Sequence, residues 1–231
     1  MPASQLSIIM PVLNEAAVID TTLAALAPLL ARGAELIVVD GGSTDGTAGR
    51  AEAHGARVVV APRGRARQMN AGAGHAAGSV LMFLHADTVL PRDADLLVHG
   101  ALSASGHSTP RLWGRFDVSI TGRPVMLKVI AAMMNWRSRL SGIATGDQAI
   151  FMTQGAFAAA GGFAVQPLME DIDMSRRLLK VSRPACLRAR VATSGRRWES
   201  RGVWRTVLLM WRLRFAYWRG VPPEQLAALY R

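Results

Sequence analysis

Polar residues follow three of the apolar runs in the first hundred residues of this sequence. Asn14 and Glu15 follow the first run, Asp40 ends the second, and His85 and Asp87 follow the fourth. Ligands of an open parallel sheet bind beyond the carboxyl ends of its strands, so these positions are candidates for binding. At such a position the carboxylate of Asp40 can hydrogen-bond to a base or a ribose. The pattern favours a nucleotide-binding site.

Helix capping is the alternative interpretation for several of these residues. Asn14 could cap the helix that follows it, and Ser43 could cap the next one. Capping does not account for Asp40, and the two glycines after it permit close backbone approach to a ligand. A Rossmann dehydrogenase also places an acid after its second strand. It needs a G-x-G-x-x-G fingerprint after the first strand, however, where this chain has PVLNE at residues 11–15.

The apolar runs and the segments between them predict the elements that position these residues. Residues 6–10, 36–39, 57–60 and 80–84 are short and rich in Val, Ile or Leu. They lack polar alternation, which is typical of strands buried on both faces of a parallel sheet. The segments between them, residues 16–30, 44–53 and 65–77, are predicted crossover helices. This order predicts an α/β fold with helices covering a mostly parallel sheet.

The second half of the chain predicts further elements of both kinds. Two strands are expected at residues 113–120 and 148–153, and a loop at 103–111. Helices are expected after Pro91, over residues 124–136, over 170–181 and over 201–219. Pro124 occupies the first turn of its helix, where proline is favoured.

Several motifs, in the right order, resemble those of family-2 glycosyltransferases of the GT-A fold. They are P-x-x-N-E at residues 11–15, VVDGGSTDGT at 38–47 and the strand end that contains Asp87. More narrowly, GRARQMNAG at 64–72 and FLHADT at 83–88 resemble a bacterial subgroup of arsenosugar-biosynthesis glycosyltransferases. The resemblance spans residues 7–198. It implies a transferase domain over residues 1–198, followed by a basic, aromatic helical appendage over 199–231.

The resemblance also implies a nucleotide-sugar donor and the residues that bind it. A UDP-sugar is favoured, with a GDP-sugar as the alternative. Guanidinium groups suit the oxygens of a diphosphate. The implied donor-binding residues are Pro11, Asn14, Glu15 and Asp40 around the nucleoside, Arg65 and Arg67 at the diphosphate, and Asp87.

In this family the Asp-x-Asp element coordinates a divalent cation, and Asp87 matches its second aspartate. The first aspartate is replaced by His85, which could ligate a transition metal but is a poor ligand for Mg²⁺. The resemblance therefore implies Mn²⁺ or Mg²⁺ as cofactor, held by Asp87 and with His85 as a second candidate ligand. The cation would stabilise the departing nucleotide as charge develops.

Direct displacement at an anomeric carbon inverts its configuration and needs a base for the acceptor. Asp171 in the Glu170-Asp171 pair resembles the family's catalytic base, although acids are also favoured at a helix start by the macrodipole. Further candidates on the acceptor side each have a structural alternative, such as a turn or core role. They are Asp147, Gln148, Glu170, Arg197 and Trp198. Asp40, Asp87 and Asp171 are expected to converge on one cleft.

The predicted helix over residues 201–219 is amphipathic. Arg201, Arg205, Arg212 and Arg219 fall within a stripe of about 40° on a helical wheel, beside a Trp-rich apolar face. This pattern suits a helix lying in a membrane interface. The alternatives are packing on the transferase domain and homodimerisation through the aromatic face.

Composition narrows the remaining function classes. The net charge of +11 lies in the second half, since residues 1–100 balance to −2 and residues 101–231 to +13. A basic half favours an anionic partner, such as a lipid-phosphate acceptor, although a small-molecule acceptor fits equally well. No nucleic-acid motif is visible, so nucleic acid is not expected.

A single cysteine and the lack of a secretory signal or a long apolar stretch predict a cytoplasmic protein. Association with the inner face of a membrane is the alternative that the amphipathic helix leaves open. Two alternative functions also stay open: a membrane- or nucleic-acid-binding module on an inactive transferase scaffold, and a nucleotidyltransferase.

Overall fold

The computed structural model describes residues 6–103 and 110–230, and the predicted loop at 103–111 lies mostly outside these residues. One mixed sheet of eight strands runs through them in the order β3-β2-β1-β4-β7-β6-β8-β5. The strands are β1 (Leu6–Val12), β2 (Glu35–Asp40), β3 (Arg57–Val60), β4 (Val80–Phe83), β5 (Thr88–Val89), β6 (Trp113–Thr121), β7 (Ile150–Thr153) and β8 (Ala185–Ser194).

The first four strands form the parallel half of the sheet, as the apolar runs predict. β1 pairs in parallel with both β2 and β4, and β2 with β3. The crossover helices are α1 (Ile19–Ala31), α2 (Thr47–Ala53) and α3 (Arg65–His75). Alternate residues of β1 face opposite layers, so Ile8 packs into one hydrophobic core and Ile9 into the other. Helices on both faces therefore bury β1, β2 and β4 almost completely, whereas the edge strand β3 stays partly exposed.

The second half of the sheet is mixed rather than parallel. β7 is antiparallel to both β4 and β6, and β8 is parallel to β6 and antiparallel to β5. The sequence does not predict β8, because Arg188 and Arg190 interrupt its apolar pattern. Their exposed positions fit a strand with one half-solvated face.

The remaining helices lie mostly in the second half of the chain. They are α4 (Ala94–Ser103), α5 (Met126–Ser141), α6 (Gln154–Ala159), α7 (Glu170–Leu178), α8 (Arg196–Arg201), α9 (Val203–Trp218) and α10 (Pro223–Tyr230). α5 extends one turn beyond the predicted helix, and α6, α8 and α10 are not predicted as separate helices. Leu213 of α9 and Leu226 of α10 form one buried cluster with Met169 and Ile172 at the start of α7. Among the described residues, no helix combines the length and the apolar character needed to cross a bilayer.

Candidate functional site

A cavity of about 500 Å³ opens beyond the carboxyl ends of β1 and β4. Its wall is built from these strand ends, the 3₁₀ turn at residues 146–148, the start of α7, the segment after β8, and α9. The charged and imidazole side chains in the wall are Glu15, Arg65, His85, Asp87, Asp147, Glu170, Asp171, Arg196, Arg197 and Arg214. The fold therefore brings ionisable groups together from distant parts of the sequence.

Asp171 lies in the first turn of α7, where the helix dipole favours a negative charge. Its Oδ2 accepts a hydrogen bond of 3.0 Å from the backbone N–H of Gly146, and its Oδ1 accepts one of 2.8 Å from that of Ile172. The carboxylate is thereby fixed against the turn that carries Gly146. This contact joins two parts of the chain that are 25 residues apart.

His85 and Asp147 face each other beside this turn. Nδ1 of His85 lies 3.3 Å from Oδ1 of Asp147. The His85 ring also lies against Gly146, where an added Cβ would come within 2.4 Å of Nε2. Burial raises the pKa of the Asp147 carboxyl, but the hydrogen bond and charge of His85, with Arg65 and Arg197, outweigh it and leave that pKa below its usual range. Asp147 is therefore held ionised at the cavity wall.

Glu170 is almost fully buried next to Asp171. Only 3% of Glu170 is exposed, and Nη1 of Arg65 donates a hydrogen bond of 3.3 Å to its Oε1. Burial, and after it the negative charge of Asp171, raise the pKa of Glu170. Arg65 thus connects the start of α3 to the carboxylate pair of α7.

Glu15 and Asp87 form a second carboxylate pair at the ends of β1 and β4. Both lie 3.6 Å from Nη2 of Arg196. Burial, and after it the charge of Asp87, raise the pKa of Glu15. Because two carboxylates face a single arginine, this corner of the cavity concentrates oxygen donors.

Asp40 and Asn14 lie outside the cavity lining, in a network between neighbouring strand ends. Asp40 is 5% exposed and accepts hydrogen bonds from the backbone N–H of Ser43 at 3.0 and 3.1 Å. Asn14 donates from its backbone N–H to Oγ of Ser43, and its Oδ1 accepts from the backbone N–H of Thr44. Of the three aspartates expected to converge, Asp87 and Asp171 share the cavity, while Asp40 lies at the adjacent strand end.

The other residues predicted from the sequence also fall into two groups, those that line the cavity and those that do not. Pro11, Arg197 and Trp198 line the cavity, whereas Arg67 and Gln148 do not. Arg67 is exposed at the start of α3. Gln148 is fully buried and completes a capping box with Thr145. Its local role is therefore structural.

Sequence reasoning passed over two polar groups near the site. Arg196 contacts both Glu15 and Asp87, and its position beside Arg197 was the available signal. Gln68 is buried and donates to the backbone oxygens of Val12 and Val39, so it ties α3 to two strand ends. A polar residue on the buried face of α3 was the signal there.

The family model described as Glycosyl transferase family 2 matches residues 7–154. A PGL/p-HBAD biosynthesis glycosyltransferase of Mycobacterium tuberculosis is 38% identical over 114 residues, which cover 46% of this chain and 44% of that protein. The chain thus spans less than half the length of this relative.

Solved structures have the same fold at low sequence identity. The mannosyltransferase PcManGT from Pyrobaculum calidifontis, in complex with GDP-Man and Mn²⁺, has a TM-score of 0.61 at 21% identity, covering 92% of this chain and 61% of that one. Glucosyl-3-phosphoglycerate synthase from Mycobacterium tuberculosis, with Mg²⁺ and UDP, has a TM-score of 0.58 at 21% identity, covering 82% and 70%. S. aureus TarS has a TM-score of 0.65 at 16% identity, covering 83% and 60%.

Proposed function

This chain belongs to glycosyl transferase family 2, and we propose that it is an inverting enzyme that moves a sugar from a nucleotide-diphosphate donor to an acceptor hydroxyl. The observation that carries this proposal is the shared cavity of Asp87 and Asp171. One carboxylate comes from a strand end and the other from a later helix, so donor and acceptor groups can meet between them.

The donor side of the proposal lies at the strand ends. We assign the nucleoside to the region of Pro11, Asn14, Glu15 and Asp40, and the diphosphate to Arg65 and Arg67. The relatives that carry UDP or GDP-Man support a nucleotide-sugar donor, with a UDP-sugar favoured and a GDP-sugar as the alternative. The further assignment to the arsenosugar subgroup rests on residues 64–72 and 83–88 alone.

The carboxylates of Asp87 and Glu15 fit a divalent cation, because hard cations such as Mg²⁺ and Mn²⁺ prefer oxygen ligands. Within residues 6–103 and 110–230 no three acidic, histidine or cysteine side chains are close enough to hold a metal by themselves, so a donor diphosphate would complete the coordination. Asp87 is the ligand that we propose. His85, the other candidate, has its Nδ1 directed at Asp147. When bound, the cation supplies charge neutralisation for the departing nucleotide.

Asp171 is the proposed base on the acceptor side. Its carboxylate takes the proton of the acceptor hydroxyl while that oxygen forms the bond to the anomeric carbon. The bond from the anomeric carbon to the diphosphate breaks, and its electron pair leaves with the nucleoside diphosphate. Gly146 holds the carboxylate in position, and Trp198 and Arg197 line the same cavity. The acceptor is a small molecule or a lipid phosphate.

The substitution Asp171→Asn tests the role of the base. We expect turnover to fall by roughly 10²- to 10⁴-fold, the usual contribution of a general base, while UDP or GDP affinity measured by isothermal titration calorimetry with Mn²⁺ stays unchanged. Asp173→Asn is the matched control, because Asp173 lies on the same helix, pairs with Arg177 and does not line the cavity. Full turnover in Asp171→Asn, or an equal loss in Asp173→Asn, would refute the assignment. Hydrolysis of no nucleotide sugar in a mass-spectrometric screen would refute the transferase proposal.

The appendage at residues 199–231 is proposed as a contact surface for an anionic bilayer at the inner face of a membrane. Five large side chains of α9 are each more than 60% exposed: Trp204, Leu208, Trp211, Phe215 and Trp218. The exposed arginines at 201, 205, 212 and 219 accompany them, which suits an amphipathic helix in an acidic lipid interface.

Co-sedimentation with vesicles tests this surface. We expect binding to phosphatidylcholine vesicles that contain phosphatidylglycerol, weaker binding in high salt, and loss of binding in Trp211→Ser/Trp218→Ser. A dimer in light scattering, without vesicle binding, would instead assign the aromatic face to a second copy of the chain.

A further inference from the structure

Two arginine side chains, one of them in the cavity wall, have buried nitrogen atoms without a partner. Nη2 of Arg137, on α5, and Nη2 of Arg214, on α9, are buried, and no described residue accepts a hydrogen bond from them. Buried polar groups in folded proteins are nearly always paired, so an unpaired guanidinium nitrogen needs an explanation. Because the charge of Arg214 acts on Arg137, one explanation is sought for both nitrogens.

The two guanidinium groups repel each other. Burial, and after it the positive charge of Arg214, lower the pKa of Arg137 to about 10. Burial also lowers the pKa of Arg214. Holding two like charges together out of water is unfavourable unless a negative group is present. Asp171 supplies part of that negative charge, and an anion bound between α5 and α9 would add the hydrogen-bond acceptors that the two Nη2 atoms lack.

The pair lies near the proposed base and apart from the proposed diphosphate arginines. The charge of Asp171 acts on both Arg137 and Arg214, and Arg214 lines the same cavity as Asp171. Arg65, by contrast, reaches the cavity from α3 and pairs with Glu170. An anion at the pair would therefore be close to the acceptor hydroxyl.

We infer that Arg137 and Arg214 form an acceptor subsite that binds a phosphate group of the molecule that receives the sugar. Guanidinium groups donate pairs of N–H bonds in a geometry that matches phosphate oxygens. The phosphate would anchor the acceptor while its hydroxyl approaches Asp171. The inference rests on the proposed function for the identity of the reaction, but phosphate binding itself can be measured without any transfer.

Calorimetric titration with glycerol 3-phosphate tests the subsite in the full chain. We expect the double variant Arg137→Met/Arg214→Met to bind this probe at least tenfold more weakly than the wild type. Arg188→Met is the matched control, because Arg188 is exposed on β8 and lines no part of the cavity. Arg65→Met controls for binding at the proposed diphosphate site.

The folding of the double variant is checked by its melting temperature. Replacing unpaired buried charges with apolar side chains of similar size often stabilises a protein, so we expect Tm without phosphate to rise or stay unchanged. Phosphate should raise Tm in the wild type and in Arg188→Met but not in the double variant. Equal affinity in the wild type and the double variant, or a loss only in Arg65→Met, would overturn the subsite.

Two probes distinguish the source of the phosphate. If the double variant loses binding of glycerol 3-phosphate but not of a phosphate-bearing lipid, the acceptor is water-soluble. If the double variant loses binding to phosphatidylcholine vesicles that contain phosphatidic acid, the acceptor is a lipid phosphate. If the double variant binds both probes as well as the wild type does, the inference is overturned. Phosphate binding without hydrolysis of any nucleotide sugar would leave the subsite in place and reject the transferase proposal, so the two failures are separable.

Discussion

Gly146 links three parts of the candidate site, and Gly146→Ala is expected to disturb all of them. The added Cβ would lie 2.4 Å from Nε2 and 2.5 Å from Cε1 of His85, whereas ordinary contacts are 3.4–4 Å. Either the turn moves, and with it the N–H that holds Asp171, or the imidazole rotates away from Asp147. Both outcomes change the arrangement of charges in the cavity.

The size of the effect follows from the overlap. Adding a methyl group to a well-packed site costs about 1–3 kcal/mol. In a chain of this length 1 kcal/mol changes the melting temperature by roughly 2–4 °C, so Tm should fall by roughly 2–12 °C. A displacement of about 1 Å at a catalytic group can reduce turnover by about 100-fold, and we expect a loss of that order in sugar transfer.

Thermal unfolding and donor turnover measure the two effects, and Gly100→Ala is the matched control. A Cβ at Gly100, inside α4, would meet nothing within 4 Å. Alanine is favoured over glycine in a helix by about 0.5–1 kcal/mol, so Tm should rise slightly and turnover should not change.

A double-mutant cycle with His85→Ala isolates the clash. Once the imidazole is absent, Gly146→Ala should cost little stability, which corresponds to a coupling energy of about 0.5–3 kcal/mol. The same penalty in both backgrounds would show that contact with His85 is not what requires glycine at position 146.

Three further predictions concern the frame around the site. Gly72→Ala would place a Cβ 2.5 Å from a methyl group of Ile9 and should lower the free energy of unfolding by about 1–3 kcal/mol in urea titration; an unchanged midpoint would contradict the packing. Asp117→Asn removes the carboxylate that pairs with the fully buried Arg115. It should lower the free energy of unfolding by about 3–5 kcal/mol in the same assay. A loss as small as that from breaking a surface ion pair would contradict the burial of this charge. The hydrogen bond from Arg32 lowers the pKa of Asp95, so the pair stabilises the fold above the unfolded carboxyl pKa of about 3.9 and loses this contribution as pH falls through the lower folded pKa. The penalty of Arg32→Met seen near neutral pH should therefore shrink in urea titrations below about pH 4, and a constant penalty down to pH 2 would refute the linkage.

The parallel half of the fold could be predicted because its signals are local. Each of β1 to β4 is built mainly of Val, Ile, Leu, Met or Phe, and the polar residues at the ends of β1, β2 and β4 mark one edge of the sheet. β8 could not be predicted in the same way, because its arginines obscure the pattern and its place in the sheet depends on pairing with β6 and β5. Strand pairing over long sequence distances is set by packing, which a local pattern does not encode.

The sequence by itself determined the α/β class, the family resemblance and the acidic residues at the strand ends and at the start of α7. Only the tertiary structure decided that Glu15 and Asp87 share Arg196, that Gly146 fixes Asp171, and that Nη2 of Arg137 and of Arg214 are buried with no partner among the described residues. The reason is physical. Hydrophobic period and capping act over a few residues, whereas the charges in this cavity acquire their partners, or lack them, through contacts between elements that are 25 or more residues apart.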